Sequence, residues 1–286
     1  MVKRNYSKMI SICVCNYNMG SMLYEALSSV CEQLNNDFEV IVIDDGSTDN
    51  SLTELQRLNN KYEIFKFYSY PRDPNRSLGL TRNLSIKHAS GKYVVLHIDA
   101  DDVWENGISD WCYKAIKISE ALNDEIFISG QQIQFVNKNF IKDFGGYRDI
   151  DYGEDRDLWS RLSHTNKLIF IKHKLFRKRM KLDNKTLFLK IFRTSWQILL
   201  FDLRSGESVI SRFLPLLKDA VLHPFKRGKY GGLVRIIYMM PAFIYASFKG
   251  VYSDFLPVMS SEDSIKYKEK NSKTFNDWFN YLNLNN

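Results

Sequence analysis

Short apolar runs alternate with helical periodicity over the first hundred residues. "MISICVCNYN" (9–18) is an apolar run of strand length that ends in polar residues. Leu23, Ala26, Leu27, Val30, Cys31 and Leu34 then recur at i, i+3, i+4 spacing, which predicts a helix with one apolar face. "FEVIVIDDGSTD" (38–49) reads as a buried strand closing on two aspartates and a turn. Ser47 or Thr48 is placed to cap the next helix, whose apolar positions are Leu52, Leu55 and Leu58. "EIFKFYSY" (63–70) predicts a third strand, Leu84, Ile86 and Ala89 a third helix, and "KYVVLHIDADD" (92–102) a fourth strand. This alternation predicts a parallel sheet with right-handed crossovers.

Open α/β sheets bind ligands at the carboxyl ends of their strands. Three strands here end in polar clusters: Asn16-Tyr17-Asn18, Asp44-Asp45-Gly46-Ser47 and Asp99-Ala100-Asp101-Asp102. One such cluster is ordinary turn chemistry. Three that converge on one edge predict a binding site. The last is the most demanding, because three carboxylates this close repel one another and call for water or a cation.

Further along, the pattern predicts a helix at about 106–122, a strand in "EIFISGQQIQF" (125–135) and a Gly-rich loop in "FGGYRDIDYGEDRDLWSRL" (144–162). Asp155, Leu158, Trp159 and Leu162 share a helical face, so Glu154-Asp155 opens a helix. Carboxylates there complement the helix dipole and by themselves require no further role.

Length allows one large domain with an appendage. The net charge of +7 is local: residues 165–231 hold sixteen Lys/Arg against four Asp/Glu, so the rest of the chain is slightly acidic. The four cysteines, Cys13, Cys15, Cys31 and Cys112, lack zinc spacing and are expected as free thiols in a reducing compartment. The first residues lack an apolar run of signal-peptide length, and a cytoplasmic location is expected.

Beyond residue 182, "LFLKIFRTSWQILLF" (187–201), "SVISRFLPLLKDAVLHPF" (208–225) and "LVRIIYMMPAFIYASFKGVY" (233–252) mix apolar and aromatic residues with Lys/Arg. The uncharged core of the last, Ile236 to Phe248, has thirteen residues and is interrupted by Pro241. A single span needs about 20. The composition suits helices lying in a membrane interface with cations reaching anionic headgroups, ahead of a soluble helical cap and, last, a transmembrane hairpin. The expectation is a peripheral protein at the cytoplasmic membrane face, with an anionic membrane surface rather than nucleic acid as partner. "FNDWFNYL" (275–282) predicts a short docking helix.

Four features in order, "VCNYN", "VIVIDDGSTDNS", "GKYVVLHIDADD" and "GGYRDIDYGEDRDLW", make the chain resemble the family 2 glycosyltransferases. The resemblance spans residues 9 to 162 and implies the GT-A fold, a Rossmann-like, mixed and mostly parallel sheet flanked by helices. It implies a nucleotide-sugar-binding catalytic domain over 1–180, with 181–286 as a basic, amphipathic helical extension. The implied reaction is inverting, metal-dependent sugar transfer from a nucleotide-sugar, a UDP-sugar in preference to a GDP-sugar, to an acceptor hydroxyl or phosphate; the basic and apolar C-terminal segments suggest a lipid-linked or glycan acceptor. Asp101 would hold Mn²⁺ or Mg²⁺, Asp99 would face the ribose or the metal, and Asp102 would stand behind them. Tyr17, Asn18 and Asp45 would bind the donor, and Arg82 and Arg76 are candidates for its diphosphate. Asp155 would be the general base, with Glu154 in reserve, and His173 is a candidate third metal ligand. The stretch 103–153 is shorter than the family's and 172–181 is unusually basic, which leaves the acceptor open. A nucleotidyltransferase and a non-catalytic binding module are the alternatives; "NYNMGSM" lacks the basic residue that the first usually carries.

Overall fold

The computed structural model describes residues 8–130, 133–151, 153–174, 177–180 and 261–284, with seven single positions between 214 and 248. The predicted membrane-interface segments within 187–252 lie otherwise outside the described residues. Among the described residues, no helix is long and apolar enough to cross a membrane.

The elements follow the predicted alternation. They are β1 (Lys8–Asn16), α1 (Gly20–Cys31), β2 (Phe38–Asp44), α2 (Ser51–Lys61), β3 (Phe65–Ser69), α3 (Leu78–His88) and β4 (Gly91–Asp99). Next come β5 (Asp102–Trp104), α4 (Ile108–Ala121), β6 (Phe127–Ser129), β7 (Gln134–Asn137), α5 (Lys138–Asp143), α6 (Glu154–His164), β8 (Leu168–Ile171) and β9 (Arg177–Arg179). The described C-terminal part holds α7 (Ser261–Lys270), β10 (Ser272–Lys273) and α8 (Phe275–Tyr281).

The chain divides into two units. The first comprises residues 1–149, 162–180 and 266–286, and the second 150–161 and 181–265. In the first unit an eight-stranded sheet has the order β10-β8-β6-β7-β4-β1-β2-β3. The β4-β1-β2-β3 half is parallel throughout, as the strand-helix alternation requires. β7 runs antiparallel between β4 and β6, so the sheet is mixed and mostly parallel. β5 and β9 form a separate antiparallel pair.

Side chains alternate across each strand. Ile10, Ile12 and Val14 of β1 join Val40 and Val42 of β2 in one core with Leu23 and Leu27 of α1, Leu55 and Leu58 of α2, and Trp111 and Ala115 of α4. The opposite face, with Cys13, Ile41 and Ile43, is buried where α3 packs on β1 and β2. Cys13, Cys15, Cys31 and Cys112 are free thiols. Burial pushes the Cys13 and Cys112 thiols up, and raises Cys31 to about 12, so all three stay protonated and inert at neutral pH.

Three local expectations are corrected. "EIFISGQQIQF" is not one strand: it holds β6 and the start of β7, which pair antiparallel, and the Gly130 N–H donates to the Ile133 carbonyl at 2.8 Å. Neither Ser47 nor Thr48 caps α2; the N-cap position is Asn50, and Asp49 accepts from the Ser51 N–H at 2.9 Å instead. Leu52 is exposed at 42%, so α2 buries only Leu55 and Leu58 from its predicted stripe. The docking helix is present. α8 opens on a capping box between Thr274 and Asp277 and buries Trp278, while Phe275 meets Trp111 of α4 edge-on at 5.6 Å.

Candidate active site

The parallel pairing brings the three polar strand ends together. Asn16 at the end of β1 is in register with Asp44 of β2, and Cys15 with Asp99 of β4. Asp44, marked in the sequence only as a member of the second polar cluster, is the hub. Its carboxylate accepts from Asn16 Nδ2 at 2.7 Å, Ser47 Oγ at 2.5 Å, the Ser47 N–H at 3.2 Å and Ser69 Oγ at 3.2 Å. One fully buried carboxylate thereby ties together the ends of β1, β2 and β3. Each of these bonds is made to a charged acceptor, the stronger kind.

The neighbouring loop is tied to this hub. Asn18 has a left-handed backbone (φ 53°) and its Oδ1 accepts from the Thr48 N–H at 2.7 Å. Its own N–H donates to Ser47 Oγ at 2.9 Å. Asn18 therefore braces the loop beside Tyr17, whose exposed ring lies 4.6 Å from the Arg72 guanidinium. Asp45 holds two arginines: it pairs with Arg72, and Arg76 Nε donates to Asp45 Oδ1 at 2.6 Å. Arg76, a diphosphate candidate, is thus engaged with Asp45 and the Pro71 carbonyl.

Gly46 makes this arrangement possible. Its φ is +74°, and a Cβ there would collide with the Arg72 main chain. Gly46→Ala is expected to cost about 1–3 kcal/mol from backbone strain alone. The measurement is the denaturation midpoint, with loss of donor binding as Arg72 is displaced.

Arg82 is buried on α3, so it is not a solvated helix charge. Its guanidinium lies 5.7 Å from the Tyr147 ring. Asn83 clamps the same residue: its Nδ2 donates to the Tyr147 carbonyl at 2.8 Å, and its Oδ1 accepts from the Tyr147 N–H at 3.0 Å.

The carboxylate cluster is shaped by a β-bulge. Ile12 pairs with Val95 but Val14 with Ile98, so β4 carries one extra residue against β1. His97 takes it up with φ 64°, a conformation rare outside glycine, and Gln134 Nε2 lies 2.9 Å from its Nδ1. Downstream, Gln33, in the turn that follows α1, anchors the chain. Its Oε1 accepts from the Gly107 and Ile108 N–H groups at 3.0 and 2.9 Å, capping an α4 whose N-cap glycine has no side chain to do so.

Between these anchors, one ligand oxygen from each of Asp99, Asp101 and Asp102 lies within 4.8 Å of the others. Asp101 and Asp102 are buried and Asp99 half-buried. At that separation each pair repels by about 3.5 kcal/mol at an effective dielectric near 20. Water or nearby positive charge offsets this repulsion. A protein-borne part comes from Arg177 of β9, which forms a buried ion pair with Asp102 and places Nη1 3.6 Å from Asp99 Oδ2. Hard carboxylate oxygens are also the donor set of Mg²⁺ and Mn²⁺, so the residues fit a divalent cation.

His173 is not part of that group. It follows β8, where its Nδ1 lies 2.8 Å from the Lys174 carbonyl and its ring meets Trp111 edge-on at 6.0 Å. It lines a cavity of about 640 Å³ with Ser129, Gly130, Lys172 and Thr274, and burial holds its imidazole below the ordinary value. In the second unit, Glu154, Asp155 and Asp157 form the first turn of α6. Glu154 is buried, and Asp157 accepts from Arg161 Nε at 2.9 Å one turn along.

The glycosyl transferase family 2 profile matches residues 11–195. The chain belongs to glycosyl transferase family 2. It is 32% identical over 130 residues to a cholesterol galactosyltransferase of Borreliella burgdorferi, covering 46% of this chain and 34% of the relative. The chain therefore spans about a third of that protein's length. Among solved structures, Staphylococcus aureus TarS 1-349 in complex with UDP-GlcNAc superposes with a TM-score of 0.54 at 18% identity, over 85% of this chain and 80% of that one. The mannosyltransferase PcManGT of Pyrobaculum calidifontis, in complex with GDP-Man and Mn²⁺, superposes at 0.53 and 14% identity, over 98% and 88%. At these identities the likeness shows the fold, which is GT-A.

Proposed function

We propose that this family 2 protein is an inverting, metal-dependent glycosyltransferase that moves a sugar from a nucleotide-sugar to an acceptor hydroxyl or phosphate. The observation that carries this is the convergence of the Asn16-Asp44-Ser47 hub, Tyr17 with Asp45, and the Asp99-Asp101-Asp102 cluster at adjacent carboxyl ends of β1, β2 and β4.

The roles are those that the resemblance to the family implies. Tyr17 offers an open ring to the base, with Asn18 and Asp45 beside it. Asp99 and Asp101 hold the cation, and Arg82 meets the diphosphate. A divalent cation held by Asp99 and Asp101 would supply Lewis-acid stabilisation of the charge on the departing nucleoside diphosphate. Asp155, with Glu154 in reserve, takes the proton from the acceptor. The acceptor oxygen then bonds to the anomeric carbon from the face opposite the breaking C–O bond, which inverts the configuration. His173, which is not in the group formed by the three carboxylates, stays a candidate third ligand through the resemblance to the family. UDP-sugars are the favoured donors, as TarS is solved with UDP-GlcNAc; PcManGT, solved with GDP-Man, keeps GDP-sugars in the panel.

A lipid-linked or surface-glycan acceptor is supported by the basic, apolar character of 165–231 and by a relative that is a cholesterol galactosyltransferase. The working place is then the cytoplasmic membrane face. The test is incubation of the protein with UDP- and GDP-sugars, Mn²⁺ and anionic lipid vesicles, with the anomeric configuration of the product read by NMR. An inverted linkage on a lipid-phase product is expected. A retained configuration contradicts the mechanism, and a product confined to the aqueous phase contradicts the lipid acceptor.

A further inference from the structure

Arg177 stands out because it is a buried cation inside a buried acidic cluster. Its side chain is 4% exposed and pairs with Asp102, whose side chain is fully buried. Its Nη1 lies 3.6 Å from Asp99 Oδ2, and its guanidinium carbon lies 5.9 Å from the centre of the Trp104 ring. The β5–β9 register sets Arg177 opposite Trp104 and Arg179 opposite Asp102, so Arg177 reaches Asp102 diagonally along one face. The Met180 N–H also donates to the Asp101 carbonyl at 2.9 Å. β9 therefore grips the 99–102 loop by main chain and side chain together.

The charges explain why a guanidinium belongs here. Arg177 offsets part of the negative charge of the three carboxylates and leaves a share for a divalent cation to balance. A guanidinium is planar, permanently charged and suited to buried carboxylates. A carboxylate paired with it is a poor ligand for a second cation. A metal bound by few carboxylates keeps open positions for phosphate oxygens, and one bound by three has fewer to offer.

We propose that Arg177 is a positioning residue that withdraws Asp102 from the cation's shell and leaves Asp99 and Asp101 to hold the metal with open positions for the donor's diphosphate. This rests on the metal-dependent reading given above. Its consequence is a pair of opposite effects. Without the guanidinium, Asp102 joins the shell, so the cation binds more tightly while the diphosphate on that cation binds more weakly. A purely structural arginine would weaken both together.

The test uses the full chain as wild type, R177Q, D102N and the double variant. Mn²⁺ binding is read by the EPR signal of the free ion. UDP or GDP, whichever binds the wild type, is then titrated by calorimetry at saturating Mn²⁺. In R177Q the Mn²⁺ Kd is expected to fall about tenfold and the nucleotide Kd to rise about tenfold, in the range of other changes just outside a metal's ligands. D102N in the R177Q background is expected to return both constants to within about threefold of wild type. R177K keeps the charge without the fork and is expected to lie between wild type and R177Q; it carries the test where R177Q does not fold. Parallel losses of Mn²⁺ and nucleotide in R177Q or R177K, or no change in either, overturn this inference alone. Absence of Mn²⁺ binding in the wild type overturns the metal reading and this inference with it.

Discussion

Asp101→Ala is expected to lower sugar transfer by about 10²–10³-fold, as the loss of a group holding transition-state charge does elsewhere. It is also expected to remove the Mn²⁺ dependence of donor binding. The same change should leave the fold intact. Asp101 is buried beside two like charges, and its main-chain carbonyl, held by Met180, survives the substitution. Removing one of three mutually repelling carboxylates relieves strain when no metal is present. The thermal midpoint in metal-free buffer should therefore stay level or rise, while activity collapses. A variant that loses stability and activity in proportion would instead mark Asp101 as a structural residue.

The second large effect is expected at the opening of α6. Asp155→Asn keeps the size and helix position of the side chain but removes its basicity. A lost general base typically costs about 10²–10⁴-fold in rate. The fall should appear in kcat, with Mn²⁺-dependent donor affinity unchanged, because Asp155 is assigned to the acceptor's proton and not to the nucleotide. Glu154→Gln is expected to cost less than tenfold. The reverse ranking would transfer the role to Glu154, and two small effects would return the pair to dipole-complementing caps.

The half of the sheet that builds the donor site was legible because its strands are apolar throughout and its turns are polar. "FEVIVIDDGSTD" announces both a buried strand and a loaded strand end, and β1, β2 and β4 deliver their polar ends to one edge as predicted. Expectations failed where tertiary partners replace local ones. Asp49 and Asn50 took over the start of α2 because Ser47 is committed to Asp44 and Thr48 to Asn18. Gln33 caps α4 from the turn after α1, a role no local spacing records.

The same limit applies within the site. Asp44 reads like Asp45 in sequence, yet pleating sends one carboxylate into the β1-β2-β3 hub and the other toward Arg72 and Arg76. Arg177 was visible only as part of a basic run; its pairing with Asp102 depends on β9 returning along β5, some seventy residues downstream. His173 is a candidate through the family's histidine beyond the Glu-Asp pair, and its ring lies beside Trp111 and Gly130.

Calorimetric titration of the wild-type chain with UDP- and GDP-sugars, in Mn²⁺ and again in excess EDTA, bears most directly on the proposed activity. Binding of one donor class that requires Mn²⁺ is the expected result. Equal binding in both conditions, or binding of neither class in either, would contradict a cation held by Asp99 and Asp101 against a nucleotide-sugar.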